Sequence, residues 1–138
     1  KLTRMFQNRK AKKTYIALCI GKRPVWDEIY VETGHGRSRW GAWRVYANED
    51  IGRKLPEKAS VKDMATRFKV LSVNGESVVT QFQEISDDDR LCERRVAERD
   101  KPYDNVLPSG EEIIVRAFPV TGRTHQIRLH CQFLACLC

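Results

Sequence analysis

Several short runs of this chain alternate hydrophobic and polar positions, which is the period of strands and not of helices. In the first run, TYIALCIG, the residues Tyr15, Ala17 and Cys19 fall on one face, and the intervening side chains fall on the other. The run predicts a strand that is buried on at least one side and that ends at Gly21.

Four further segments show strand character. WDEIYVETG predicts a second, weaker strand, and the loop-like stretch after it contains one short strand at Trp43 to Tyr46. MATRFKVLSV and ESVVTQFQEI flank Asn74 and Gly75, and an Asn-Gly pair between two such runs is a strong signal for a hairpin. EEIIVRAF predicts the last strand.

Helical spacing occurs near the two ends. Leu2, Met5 and Phe6 lie at i, i+3 and i+4, which predicts a short basic helix over residues 1–10. Thr124 is predicted to cap a second helix. Its expected inner face consists of Ile127, Cys131 and Leu134.

The segment between the hairpin and the last strand is different. Ser86 to Gly110 has few apolar residues and no sustained period, which predicts an exposed, charged insertion with one helical turn through RLCERRVAER. The whole pattern predicts one α+β domain over residues 1–138, with a mixed, mainly antiparallel sheet and flanking helices.

Charge is distributed unevenly along the chain. The net charge is +7. Residues 1–54 carry 13 Lys and Arg against 5 Asp and Glu, residues 84–112 carry 5 against 10, and residues 113–138 carry three arginines and no acid. Two basic ends around an acidic middle favour a surface that faces a polyanion, and nucleic acid is the obvious candidate.

Cysteine usage indicates the compartment. The five cysteines form no paired framework and no secretory signal precedes them, so we expect reduced thiols in an intracellular protein. No apolar stretch is long enough to span a membrane. The chain lacks an initiating Met and stops inside an apolar run, so we expect it to be truncated at both ends.

The stretch TGRTHQIRLH, Thr121 to His130, concentrates basic and hydrogen-bonding side chains where the chain leaves the last strand. Free backbone N–H groups and the helix dipole make such a helix start suitable for an anion. Arg128, one turn deeper, is predicted to be partly buried and to need an anionic partner. A solvated helix start with surface arginines is the alternative, and the pattern alone does not separate the two.

Metal binding by the histidines and base stacking by the tryptophans are both disfavoured. His125 and His130 are five residues apart and point to different helix faces, so no metal site is predicted. Trp26, Trp40 and Trp43 could stack on bases, but anchoring of the core or of loops is the preferred interpretation.

Three motifs together resemble one family. TGRTHQIRLH matches the closing motif, GRTHQIRVH, of the RluA-type RNA pseudouridine synthases. KKTYIALCIG resembles the K-x-Y-x-A-x-x-x-G strand of that family, and MATRFKVL resembles its A-x-T-x-F/Y-x-V-L strand. The three occur in the same order as in the family and extend from Lys12 to His130, so the resemblance covers most of the chain.

The resemblance implies a pseudouridine-synthase-like catalytic domain that isomerises uridine in RNA without a cofactor. Tyr15 matches the active-site tyrosine, and Arg128 matches the arginine that keeps a catalytic aspartate charged. The implied RNA contacts are Lys13, Arg123, Thr124, His125 and Gln126. The implied partner is rRNA or tRNA, and the protein is expected to be monomeric. Without this resemblance, Tyr15 would be interpreted as a core aromatic.

One part of the family pattern is missing. The family places its catalytic aspartate in a stretch resembling H-R-L-D-x-x-T-S-G, upstream of the tyrosine strand, and this sequence contains no such stretch. We therefore expect these 138 residues alone to be inactive and the full-length protein to be the enzyme. A non-catalytic RNA-binding module derived from the same fold remains the alternative, and a purely structural domain is the third possibility.

Overall fold

A computed structural model describes residues 13–77, 92–99, 110–134 and 136–137. In this part of the chain there are eight strands, one α-helix and a single 3₁₀ turn at Asn48–Asp50. The strands are β1 (Tyr15–Gly21), β2 (Glu28–Arg37), β3 (Trp43–Tyr46), β4 (Lys62–Val73), β5 (Glu76–Ser77), β6 (Cys92–Val96), β7 (Glu111–Pro119) and β8 (Cys136–Leu137), and the helix is α1 (Gln126–Phe133). The helix predicted over residues 1–10 lies outside the described residues.

The strands form one mixed, mainly antiparallel sheet. Its order is β3-β2-β4-β7-β1-β8, β5 pairs with β4, and β6 runs parallel to β2. The predicted α+β class is thereby confirmed. Among the described residues, no helix is long and apolar enough to cross a membrane.

One face of the sheet is the core. In register across four strands lie Ile29, Phe68, Ala117 and Tyr15, and the first three are fully buried. The helix α1 covers this face and contributes Cys131 to the same cluster. Alternation along the strands therefore brings the apolar positions of sequence-distant segments together, and burying them is the main term that stabilises the fold.

The opposite face of β1 is open. Ile16, Leu18 and Ile20 are 59, 58 and 45% exposed, whereas Cys19, which points toward the helix, is fully buried. The prediction that this strand is buried on at least one side is confirmed. The buried side is the one that carries Tyr15, Ala17 and Cys19.

Most predicted strands are present, and their ends differ by a few residues. The second strand is longer than predicted and continues to Arg37, because its last residues pair with β3. The hairpin at Asn74 and Gly75 is confirmed, and both residues have positive φ, which is the conformation that a tight two-residue turn requires. Of the second hairpin strand, Glu76–Ser77 lies within the described residues.

The predicted helical turn in RLCERRVAER is wrong. Cys92–Val96 is a strand that pairs with Glu28 to Glu32, and Arg94 forms an ion pair with Glu32. Ala97 is buried beside Val45 and Leu129, so this part of the predicted exposed insertion belongs to the core. Helix-forming residues adopt a strand here because the edge of β2 supplies hydrogen bonds and the core supplies burial. Residues 86–91 and 100–109 of the predicted insertion lie outside the described residues.

Candidate functional site

The turn between β7 and α1 determines the geometry of the site. The helix begins at Gln126, one residue later than the predicted cap at Thr124 implies. His125 occupies the cap position with a left-handed backbone (φ 55°) and makes no side-chain cap bond. The predicted capping by Thr124 is therefore wrong. Its carbonyl instead accepts a hydrogen bond of 2.9 Å from Nε2 of His35 on the neighbouring strand β2.

Gln126 is a structural residue of this turn. It is 5% exposed, and its Oε1 accepts hydrogen bonds from the Thr121 hydroxyl (2.7 Å) and the Arg123 backbone N–H (3.0 Å). Its Nε2 donates to the Ala65 carbonyl (2.7 Å) and to Oγ1 of Thr66 (2.8 Å). An amide has two donor and two acceptor positions, and all four are used. Gln126 therefore holds the turn on β4, and its predicted contact with RNA stays a prediction.

Arg123 is anchored as well. Its Nε donates to the Asp63 carbonyl and its guanidinium forms an ion pair with the Asp63 carboxylate, both at 2.8 Å. Asp63 therefore compensates the charge of Arg123 in part. A direct contact of Arg123 with RNA stays a prediction.

Tyr15 and Arg128 line the same open cavity of about 370 Å³. Six of the seven predicted site residues belong to its lining, namely Lys13, Tyr15, Arg123, His125, Gln126 and Arg128. Thr124 lies instead at a second cleft on the other side of the turn. The structure thus brings together residues from β1 and from the start of α1 that are more than a hundred positions apart.

Tyr15 is not a core aromatic. Its side chain is 44% exposed, and its register partner on β7 is Ala117. A methyl group opposite the ring fills little space, so the region beside the ring remains open. An exposed aromatic face with room beside it is suited to stacking on a flat heterocycle.

The cavity is electropositive. Its described lining contains three cations, Lys13, Arg123 and Arg128, and no carboxylate. Arg128 is exposed, which corrects the prediction that it is partly buried, and within the described part of the chain no ion pair involves it. Exposure removes the folding penalty expected for a buried, unpaired guanidinium. It also leaves the side chain able to receive an anion.

The buried His130 contributes to the structure near the turn. His130 is fully buried, with Nε2 2.9 Å from Oγ1 of Thr33 and Nδ1 2.7 Å from Oγ1 of Thr66. Burial, with a smaller contribution from the charge of His35, lowers the pKa of His130 to about 3. The imidazole is therefore neutral in the folded protein at neutral pH. Sequence reasoning missed this role, although the spacing from Gln126 to His130 is one helical turn and places both on one face.

A test of this burial uses the dependence of stability on pH. The unfolded state protonates His130 near its ordinary pKa of 6.5, whereas the folded state does so near 3. Stability is therefore fully present above 6.5 and falls as the pH decreases, by about 2 kcal/mol at pH 5. Urea unfolding should show this loss in the wild type and a smaller one in His130→Gln, which keeps only the contribution of His35, whose pKa is also lowered by burial. The control His125→Asn keeps a residue that tolerates the left-handed backbone and should retain the loss.

No group of three His, Cys, Asp or Glu side chains is arranged to hold a metal ion among the described residues. The thiols of Cys19 and Cys131 are buried and in contact, 3.7 Å apart, as part of the core.

A mixed, mainly antiparallel sheet with a helix on one face carries a cationic cavity between a strand tyrosine and a helix arginine, and a cavity of this kind suits a polyanion. The family model described as RNA pseudouridylate synthase matches residues 1–133, and the chain belongs to this family. The predicted family is thus confirmed.

Two curated relatives are plant proteins named RNA pseudouridine synthase 1. The chain is 49% identical to the protein from Oryza sativa subsp. japonica over 137 residues and 48% identical to that from Arabidopsis thaliana over 138 residues. Each alignment covers 97% of this chain. The chain spans 39% and 40% of the length of these two relatives.

Solved structures show the same fold. Human RNA pseudouridylate synthase domain containing 1 superposes with a TM-score of 0.57 at 19% identity, over 98% of this chain and 41% of that one. Human RNA pseudouridylate synthase domain containing 4 gives a TM-score of 0.53 at 14% identity, over 99% and 39%.

Proposed function

We propose that the complete protein that carries this chain converts uridine to pseudouridine in RNA. The observation that carries the proposal is the cavity in which Tyr15 faces the same space as Arg128, with cations around it and no acid in its described lining. Such a cavity fits a flat base, a phosphate and one carboxylate brought from elsewhere. The names of the two plant relatives support the same activity.

The reaction needs positioning and proton transfer. The bond between N1 of uracil and C1′ of ribose breaks, the base turns, and a bond forms between C5 and C1′. C5 loses a proton and N1 gains one, so there is no net oxidation or reduction, and no cofactor is required. The steps that the protein must assist are removal of the base from the RNA stack, attack at the sugar and transfer of the C5 proton.

The proposed roles follow from the geometry. In this proposal the Tyr15 ring stacks on the extruded uracil, and its hydroxyl assists proton transfer. Arg128 forms an ion pair with the catalytic aspartate, because a nearby guanidinium favours the charged carboxylate. The 138 residues contain no H-R-L-D stretch, so in this proposal the aspartate comes from a part of the protein outside them.

The remaining side chains of the turn serve RNA binding. Lys13 and His125 line the cavity, and Thr124 lies on the adjoining cleft. In this proposal they contact phosphates beside the target nucleotide. Arg123 keeps its bond to Asp63 and offers its remaining N–H groups. In this proposal the substrate is a structured RNA such as rRNA or tRNA, and the protein acts as a monomer.

The decisive assay follows the hydrogen at C5. RNA that carries tritium at C5 of uridine should release tritium into water with the complete protein, because C5 exchanges its proton for the bond to C1′. The 138-residue chain alone should bind RNA and release none, since no carboxylate reaches the sugar. Binding without release by the complete protein would favour the non-catalytic RNA-binding module. Release by the 138 residues alone would refute the external source of the aspartate.

A further inference from the structure

A second cleft adjoins the cavity of Tyr15 and Arg128. It has a volume of about 520 Å³ and lies between the β2–β3 hairpin, the segment 55–60 and the turn 122–124, and we call it the hairpin cleft. Gly122 and Arg123 line both spaces, so the two are neighbours across one turn of the chain. A linear polymer that occupies the first cavity can therefore continue into the second.

The hairpin cleft is strongly basic. The cations of its described lining are Arg37, Arg39, Lys58, Lys62 and Arg123, and the acid is Glu57. The first four cations are exposed, whereas Arg123 is engaged with Asp63. His35 adds no positive charge at neutral pH, because burial lowers its pKa. The cleft therefore presents several exposed cations to a polyanion.

An exposed aromatic side chain lies in the turn of the hairpin, between Arg39 and Gly41, which line this cleft. Trp40 is 86% exposed and lies in the turn of the hairpin, with the Arg39 guanidinium 5.9 Å from the centre of its ring. Trp43 differs, because it is stacked on His35 (4.7 Å between ring centres) and contacted by Arg37. Trp26 is a core residue. The preferred interpretation of the tryptophans as anchors thus fits Trp26 and Trp43 but not Trp40, whose ring is open to a partner.

The turn that carries Trp40 is ordered. The Ser38 N–H donates to the Ala42 carbonyl at 2.7 Å, and the Gly41 N–H donates to the Ser38 carbonyl at 2.9 Å. The Trp40 N–H donates to Oγ of Ser38 at 3.2 Å. These bonds fix the backbone of the turn. A partner that binds the tryptophan therefore causes little further loss of backbone conformational entropy.

We infer that the hairpin cleft and Trp40 form a second RNA subsite, which binds unpaired nucleotides next to the target uridine. Arg39, Lys58 and Lys62 contact the phosphates, and the Trp40 ring stacks on one base. The recognised partner is single-stranded RNA, because a base within a duplex has no free face. This inference rests on the proposed function, since it treats the neighbouring cavity as the position of the target nucleotide.

The phosphate contacts can be tested through the salt dependence of binding. The complete protein is titrated with a single-stranded RNA that contains the target uridine, at several salt concentrations. Arg39→Gln combined with Lys62→Gln should weaken binding and reduce the slope of log affinity against log salt by about 0.7 for each phosphate that is no longer neutralised. The control is Lys69→Gln with Arg116→Gln, a pair of like charges in register on the opposite face of the sheet. Neutralising it removes two charges from the other face of the sheet and should leave the slope unchanged.

The stacking interaction has its own test. Trp40→Ala should weaken RNA binding by about 5- to 100-fold, and Trp40→Phe should restore most of it. In the tritium-release assay, Trp40→Ala should raise KM and leave kcat unchanged at saturating RNA. A series of RNAs, each lacking one base at a different position beside the target, should locate the stacked base. The RNA that lacks this base should bind wild type and Trp40→Ala equally.

The outcomes separate this inference from the proposed function. Tritium release with unchanged KM and salt slope in both sets of variants would overturn the second subsite and leave the function intact. Binding that depends on Trp40 and on the two cations, without tritium release, would overturn the function and retain an RNA site. Equal binding of duplex RNA, or equal competition by polyglutamate, would overturn the inference of single-stranded RNA.

Discussion

Replacing Arg128 by Met in the complete protein should lower kcat for pseudouridine formation by about 10²- to 10³-fold, with little change in RNA affinity. Arg128 is the exposed cation of α1 at the cavity, and within the described residues no carboxylate is bonded to it. Arg123 also lines the cavity but is held by Asp63, so it cannot substitute for Arg128. Methionine preserves the length and apolar stem of the side chain while removing the charge.

The pH profile distinguishes the proposed role from a general effect on the fold. Without the guanidinium, the pKa of the carboxylate that it contacts should rise, so the acidic limb of kcat against pH should move to higher pH. Arg128→Lys should recover part of the rate, because it restores charge without the planar donor fork. Arg116→Met, on the opposite face of the sheet, serves as the control and should leave both kcat and the profile unchanged. Unaltered turnover in Arg128→Met would eliminate the proposed role.

Replacing Gln126 by Leu should destabilise the fold by about 3 kcal/mol or more, measured as the free energy of unfolding in urea. The change removes four internal hydrogen bonds and leaves buried groups on β4 and in the turn without partners. Each such group costs roughly 1–3 kcal/mol, and the total stability of a domain is only about 5–15 kcal/mol. The same substitution at the exposed Gln132, on the same helix, should change stability by less than about 0.5 kcal/mol.

Binding measurements separate this structural role from direct RNA recognition. At a temperature where Gln126→Leu is still folded, its salt dependence of RNA binding should equal that of the wild type, because no phosphate contact has been removed. A specific decrease in RNA affinity, together with unchanged stability, would instead support a direct contact between Gln126 and RNA.

The strands were predictable because their signals are local. Alternation in TYIALCIG and an Asn-Gly pair between apolar runs depend on neighbours a few residues away, and these patterns determine β1 and the turn at Asn74. The composition of Thr121 to His130 also located the cavity. Most of the basic and hydrogen-bonding residues at this helix start line one cavity.

The predictions were wrong or incomplete where a distant partner decides the outcome. A glutamine at the start of a helix looks the same whether it faces solvent or β4, and its partners Ala65 and Thr66 are about sixty positions away in sequence. Cys92–Val96 becomes a strand because β2 lies beside it, against the preference of its own residues. The exposure of Arg128 likewise depends on the rotation of α1 over the sheet, which the sequence pattern leaves undetermined.

Strand β1 presents the Tyr15 ring on one side and the row of Ile16, Leu18 and Ile20 on the other, one residue out of phase. A surface that covers that row contacts the same strand that carries the phenol ring, from the side away from the cavity. Variants in the row can therefore lower the activity as a catalytic substitution would, although every group that contacts the nucleotide is chemically unchanged.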